Sequence, residues 1–194
     1  MKFFVSWEDQ WAQFAQGFRD GKAHIDLKPF GGTSTLRLVP GPGFGDLSHP
    51  TTYVMLELMQ GRIKGKNILD IGCGSGILTL AALLLGATTA TGIDIDPDAL
   101  THAHENAQLN HLTAFFSKDL PSSGEIVLMN MILPEQKIVM QQRPKGELWI
   151  VSGILPQQQE TYLGLAKAWN WNLVQKKERE GWLGMVFKGS HSQC

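Results

Sequence analysis

Residues 69–78 read LDIGCGSGIL, an apolar run followed by glycines at 72, 74 and 76. Glycine inside regular structure costs roughly 0.5–1 kcal/mol relative to alanine. Three of them on alternate positions therefore mark a place where something approaches the backbone more closely than a Cβ permits. The flanking residues say what kind of structure holds that turn. NILDI (67–71) reads as a buried strand, GILTLAALLLG as a helix ended by Gly86, and TATGID (89–94) as the next strand. No charged residue lies between Asp70 and Asp94, a stretch long enough to raise the question of a membrane span. Its glycines and threonines, and a change of apolar period partway along, fit strand, turn, helix and strand instead, so no membrane partner is expected.

The alternation continues downstream. In DPDALTHAHENAQLN, Asp96 caps a helix, Pro97 takes its first position and Asp98 adds an acid to its first turn. TAFF, EIVLMN and ELWIVS read as three strands, with a helix near 134–142 between the last two and another around 156–168. WNLVQKKE and WLGMVFK are too close for a crossover helix, so they form an antiparallel hairpin. Upstream, residues 1–40 read as irregular apart from HIDL (24–27) and TLRLV (35–39), a small hairpin across KPFGG, while TTYVMLELM reads as a helix. Strand–helix alternation implies a mainly parallel open sheet with helices on both faces and an antiparallel end. The expected organisation is an N-terminal extension (1–40), one α/β domain (41–190) and a short tail (191–194).

Composition narrows the partners. A formal charge of −1 and no Lys/Arg cluster leave no electrostatic footprint for nucleic acid. The opening MKFFVSWEDQW has no long apolar core and reaches Glu8 and Asp9 early, unlike a secretory signal. Cys73 and Cys194 make no disulfide framework, and a reduced, cytoplasmic protein is the expectation. His102 and His104 lie two apart on a helix and share no face, so no metal pair is expected there.

The glycine turn sits where ligands bind in open α/β sheets, at the carboxyl end of the first core strand. The helix after it presents amide N–H groups and a positive dipole end to an anionic group. Asp94, 22 positions after Gly72, ends the second strand with a carboxylate suited to both hydroxyls of a ribose. Dinucleotide sites usually carry G-x-G-x-x-G, whereas this loop is G-x-G-x-G; a purely structural tight turn is the alternative.

LDIGCGSGIL…GIDIDPDAL resembles motif I and the acidic second-strand end of class I S-adenosylmethionine-dependent methyltransferases. FGDLSHPTT, GIDIDPDALTHAHENA, LMNMIL, VSGILPQQQE and KEREGWLGMVFK are similar, in the same order, to segments of the ribosomal protein L11 methyltransferases. The resemblance implies a Rossmann-like, seven-stranded sheet. It also implies S-adenosylmethionine as donor, S-adenosylhomocysteine as product, no metal, and a protein amino group as acceptor, with ribosomal protein L11 the candidate. Carried over by position, donor contacts fall on Thr52, Gly72, Asp94 and Asn130, with Asn130 the catalytic residue beside the methyl group; Phe44, Gly74 and Gly76 are also expected at the donor. An asparagine there accepts from the incoming amine and aims its lone pair without adding charge.

Two departures stand out. The family's F-G-T-G-x-H reads Phe44-Gly45-Asp46-Leu47-Ser48-His49 here, and these 194 residues are expected to correspond to the catalytic part with its linker, without the family's separate N-terminal recognition domain. A different protein or small-molecule amine acceptor, or a donor-binding module without turnover, are therefore the competing expectations. Simpler roles also stand beside the functional ones. Asn130 caps the turn after its strand, Thr52 bonds the start of its helix, and His49 is structural or solvated. Asp119 sits in a solvated turn or reaches the adenine. The aromatic residues of 3–18 cover an edge of the core or dock a partner.

Overall fold

The computed structural model describes residues 6–189 apart from 16, 122 and 143; Cys194 and the expected tail lie outside the described residues. The elements follow the strand–helix alternation: β4 (Asn67–Ile71), α3 (Ile77–Leu84), β5 (Thr89–Ile93), α4 (Pro97–Leu109), β6 (Phe115–Ser117) and β7 (Ser123–Asn130). Then come α5 (Leu133–Gln141), β8 (Lys145–Ile154), α6 (Gln159–Ala168), β9 (Trp171–Arg179) and β10 (Trp182–Gly189). Seven strands form one sheet in the order β6-β5-β4-β7-β8-β10-β9. The first five run parallel to their neighbours, and β10 pairs antiparallel with both β8 and β9. The order reverses beside β4, so the crevice at its carboxyl end is the topological switch point.

Side chains alternate across this sheet with the two-residue period of a strand. Ile126, Leu128 and Ile150 face the cluster that includes Leu56, Leu80 and Ala103. Val127, Met129, Trp149 and Val151 face the opposite cluster with Tyr162, Trp171 and Phe187. Burial on both faces is what a parallel sheet covered by helices on either side demands. Among the described residues, no helix is long and apolar enough to cross a membrane.

The amino-terminal part is more regular than the sequence suggests. Trp7–Phe14 forms a helix, α1, whose N-cap Ser6 accepts from the Asp9 amide, and Trp11 buries against the His102 ring. Eight residues are barely two turns, with one side chain buried; the cap and the contact with α4 hold them. The expected hairpin is present as β2 (Lys22–Asp26) paired with β3 (Thr35–Leu38), and a short β1 (Phe18–Arg19) adds a third strand. Ala23, Ile25, Leu36 and Leu38 join the same apolar cluster as Leu56 and Ile77. The chain then runs through a turn-rich segment into α2 (Pro50–Met59).

Polar side chains of α4 stitch that segment to the sheet. Asn106, fully buried, accepts from the Val39 amide at 2.9 Å and donates to the Ser75 carbonyl at 2.9 Å. His102 accepts from the Gly43 amide through Nδ1 at 3.2 Å and donates from Nε2 to the Val39 carbonyl at 2.7 Å. Burial lowers its pKa, so the ring stays neutral and both bonds persist near neutral pH. Replacing Asn106 with alanine leaves a buried donor and a buried acceptor unpaired. Asn106→Ala should lose roughly 1–3 kcal/mol of stability, read as a lower denaturant midpoint at unchanged slope; an unchanged midpoint would remove Asn106 from this role.

Candidate active site

The carboxyl ends of β4, β5 and β7 converge on one cavity of ≈ 540 Å³, within the range of small-molecule sites. Gly72 and Gly74 lie on its floor, Asp94 and Asn130 on its walls, and Phe44, His49 and Trp182 at its mouth. Ile95, Ile132, Ile138 and Val139 make the rest of the wall largely apolar. Phe44, Ile95, Ile132 and Ile138 are each half exposed or more.

Each glycine of the turn has its own close neighbour, and that neighbour is the protein. Gly74 has φ +53, and a Cβ there would stand 2.5 Å from the Phe44 carbonyl oxygen, because the Pro42–Gly45 segment crosses directly over it. A Cβ on Gly72 would meet the terminal methyl of Met131, the flexible end of a side chain that also lines the cavity. Gly76 caps α3 and faces Ala103 and Phe116 rather than the cavity.

The loop amides are correspondingly occupied, which corrects the expectation of free N–H groups awaiting an anion. Gly72 and Cys73 donate to the Ile93 carbonyl at 2.7 and 2.9 Å, and Ser75 donates to the Phe44 carbonyl at 2.9 Å. Gly76 donates to the Cys73 carbonyl, and Ile77 to the Ser75 hydroxyl. The Gly74 amide donates to Asp94 Oδ2 at 2.9 Å. Asp94 Oδ1 accepts from the Asp96 amide at 3.0 Å, so both its oxygens are oriented by backbone. A carboxylate offers about four acceptor directions, which leaves Asp94, half-buried on the cavity wall, able to accept two further donors.

Asn130 is the last residue of β7, half-buried and lining the cavity. His49 caps α2: its Nδ1 lies 3.3 Å from the Thr51 amide, from which it accepts, and 2.8 Å from the Thr51 hydroxyl. Burial holds its pKa below the ordinary histidine value. The ring stands edge-on between Phe44 and Trp182, with ring centroids 5.5 and 5.1 Å away.

Other expected residues lie elsewhere. Thr52 is fully buried in α2 with its hydroxyl unpartnered among the described residues, while the cavity wall takes Thr51, one residue and about 100° of helix away. Asp119 is exposed two residues after β6, whose last residue Ser117 pairs with Ile93 and accepts from the Asp94 amide; it does not line this cavity but borders a separate pocket with residues of β4, β5 and β7. Sequence reasoning missed Met131, Ile132 and Ile95, which follow strand ends and are reachable by that rule. It also missed Trp182 and the α5 wall, which only tertiary packing brings in. Leu47, standing where the resembled pattern has glycine, has φ +70 and is buried, so the loop keeps a glycine-like backbone at a steric cost. Asp46 steadies it by accepting from the Ser48 amide at 2.9 Å. Among the described residues, no group of three or more candidate ligands gathers for a metal ion.

Asp70 lies beneath the loop, fully buried, with Oδ2 accepting from the Thr79 hydroxyl at 2.6 Å and Oδ1 unpartnered among the described residues. Burial pushes its pKa up to about 7, and the nearby Asp94 charge adds to the rise. A carboxyl raised on folding favours the native state while protonated, fully below its unfolded value of 3.8, and that contribution fades as pH rises through about 7. Asp70→Asn should therefore gain in Tm relative to the wild type as pH increases from about 4 to 7; parallel Tm–pH profiles for the two proteins would contradict the assignment.

With this geometry in view, similarities of three kinds bear on the chain: to a family model, to curated relatives and to solved structures. The family model described as ribosomal protein L11 methyltransferase (PrmA) matches residues 6–190. The ribosomal protein L11 methyltransferase of Pseudomonas paraeruginosa is 38% identical over 196 residues, covering 91% of this chain and 65% of that protein, and that of Neisseria gonorrhoeae is 38% identical over 162 residues, covering 79% and 55%. The chain thus spans about two thirds or less of the length of these curated relatives. A crystal structure of the ribosomal protein L11 methylase from Lactobacillus delbrueckii subsp. bulgaricus superposes with a TM-score of 0.71 at 26% identity, over 80% of this chain and 86% of that one. The magnesium protoporphyrin IX methyltransferase of Synechocystis, solved with bound SAM, shares the fold at a TM-score of 0.59 and 16% identity, over 72% of this chain and 78% of that one. The family match over residues 6–190, with relatives 38% identical, shows that this chain belongs to the ribosomal protein L11 methyltransferase family.

Proposed function

We propose that this chain catalyses transfer of a methyl group from S-adenosylmethionine to a protein amino group, with ribosomal protein L11 the acceptor. The observation that carries the reading is the cavity at the switch point, where an oriented carboxylate, Asp94, and an uncharged amide, Asn130, line one wall system. The donor fits the residues present. Asp94 has acceptor capacity left for a ribose diol, Gly72 leaves room that only the flexible Met131 methyl overlooks, and Ile95 with the α5 side chains supplies an apolar wall for a base. Asp94, Asp96 and Glu135 line the cavity together with no lysine or arginine among the described residues, a field that suits a sulfonium and an approaching ammonium.

When bound, the donor supplies the electrophilic methyl and a neutral thioether leaving group. The protein's tasks are to place the amine in line, exclude water and let the amine lose its proton. Neutralising an ordinary lysine at pH 7 costs roughly 4–5 kcal/mol, and an α-amino group much less. Desolvation in an apolar mouth beside a positive charge lowers that cost without a dedicated base. Asn130 accepts from the amine and aims the nitrogen lone pair. His49, whose pKa burial lowers, adds no charge near neutral pH, and Phe44 and Trp182 flank the approach with apolar edges.

Incubation with labelled donor and purified L11 should label L11. Asn130→Ala should lower kcat about 100-fold, in the range seen for loss of one orienting hydrogen bond, with S-adenosylhomocysteine affinity kept. Asp94→Ala should weaken S-adenosylhomocysteine binding at least 10-fold by calorimetry, equal to roughly 1.4 kcal/mol. Labelling of another protein in cell extract while L11 stays unlabelled would overturn the acceptor, and unchanged binding in Asp94→Ala would overturn the donor site.

A further inference from the structure

Behind Asn130 lies a buried polar relay that the reading above does not use. Gln136 of α5 is fully buried, and its amide nitrogen donates both hydrogens: to the Met131 carbonyl at 2.7 Å and to the Ser152 carbonyl at 2.8 Å. Its amide oxygen accepts from the hydroxyl of Tyr162 on α6 at 2.6 Å, and Tyr162 is fully buried too. Ser152 is the residue paired with Asn130 across the β7–β8 ladder, and its hydroxyl donates to the Leu183 carbonyl, next to Trp182, at 2.9 Å. Gly153, with φ +87, leaves space for the Met131 carbonyl where a Cβ would collide with it.

The chemistry of this relay is directional. The two carbonyls sit where β7 leaves the sheet, and both require a donor, so the Gln136 amide can stand in only one orientation. The Tyr162 hydroxyl enforces it by donating to the oxygen. An apolar core could fill the same volume, since replacing buried polar pairs by matched apolar groups is often nearly neutral. A fully satisfied buried network instead specifies one arrangement. What this one specifies is the path of residues 130–132, which carry the Asn130 side chain and the Met131 methyl over Gly72.

We propose that Gln136, held by Tyr162, is a positioning residue for methyl transfer, clamping the turn after β7 so that the Asn130 amide faces the transferring methyl. The inference rests on the role given to Asn130 above. The readout that isolates it is the affinity ratio of two donor analogues: sinefungin, which has an amine where the donor has its methyl-bearing sulfonium, and S-adenosylhomocysteine, which has neither. The Asn130 oxygen accepts from that amine, so the ratio reports where the amide points, independently of any acceptor protein.

In Gln136→Met, of similar volume but with no amide, the preference for sinefungin should fall about 10-fold while S-adenosylhomocysteine binds within twofold of wild type. Tyr162→Phe keeps the ring packing and should lower the preference about threefold. The double variant should be no worse than Gln136→Met, because Tyr162 acts through Gln136. An unchanged ratio in folded Gln136→Met, or in Tyr162→Phe if the former does not fold, overturns the inference. Asn130→Ala separates the two readings: a ratio lowered there but not in the Gln136 and Tyr162 variants removes only the relay, and a ratio unmoved by Asn130→Ala removes the role of Asn130 itself.

Discussion

At Gly74 two segments 30 residues apart cross in contact: the bare Cα faces the Phe44 carbonyl, and the amide is held by Asp94. The crossing aligns three things at once. It seats the Pro42–Gly45 segment on the glycine turn, sets the orientation of the Asp94 carboxylate, and through Ser75, whose hydroxyl donates to Gly45 and whose carbonyl accepts from Asn106, ties both to α4. A side chain at residue 74 would need a displaced backbone rather than a shifted rotamer. That makes the close packing of main chain on main chain the constraint from which the cavity follows.

The same packing explains why the site is electrostatically lopsided. The loop's own amides are used to build the loop, so its polar capacity toward a ligand resides in side chains that arrive from strand ends: Asp94 from β5 and Asn130 from β7. Around them the wall is largely apolar, and among the described residues the acidic side chains Asp94, Asp96 and Glu135 line it with no lysine or arginine. In a half-closed apolar cavity such charges act over less screening than at a free surface, favouring cationic reactants. The relay from Tyr162 through Gln136 to the Met131 and Ser152 carbonyls gives the second strand end the rigidity that Asp94 obtains from two backbone amides.

Much of this was legible before any coordinates. The strand–turn–helix at 67–84 and the Asp96–Pro97 helix start carry local signals, an apolar period, a cap and a proline at the first position, that act within a few residues. The antiparallel end followed from a connection too short to cross the sheet. Asp94 was expected from its place at a strand end 22 positions after Gly72, and Asn130 from the family resemblance; both line the switch-point cavity. Less legible was α1, a helix held by one cap and one buried tryptophan.

Sequence by itself determined the order of elements and the class of sheet, because periodicity, capping and connection length are local properties of a chain. Tertiary structure decided which atoms remain free. That Ser75 gives its amide to Phe44, that Thr51 rather than Thr52 reaches the cavity, that Trp182 stands beside His49, and that Gln136 clamps the turn after Asn130 all depend on contacts between distant segments. Hydrogen-bond capacity is spent pairwise, and the partner of each group is known only once the chain has folded back on itself.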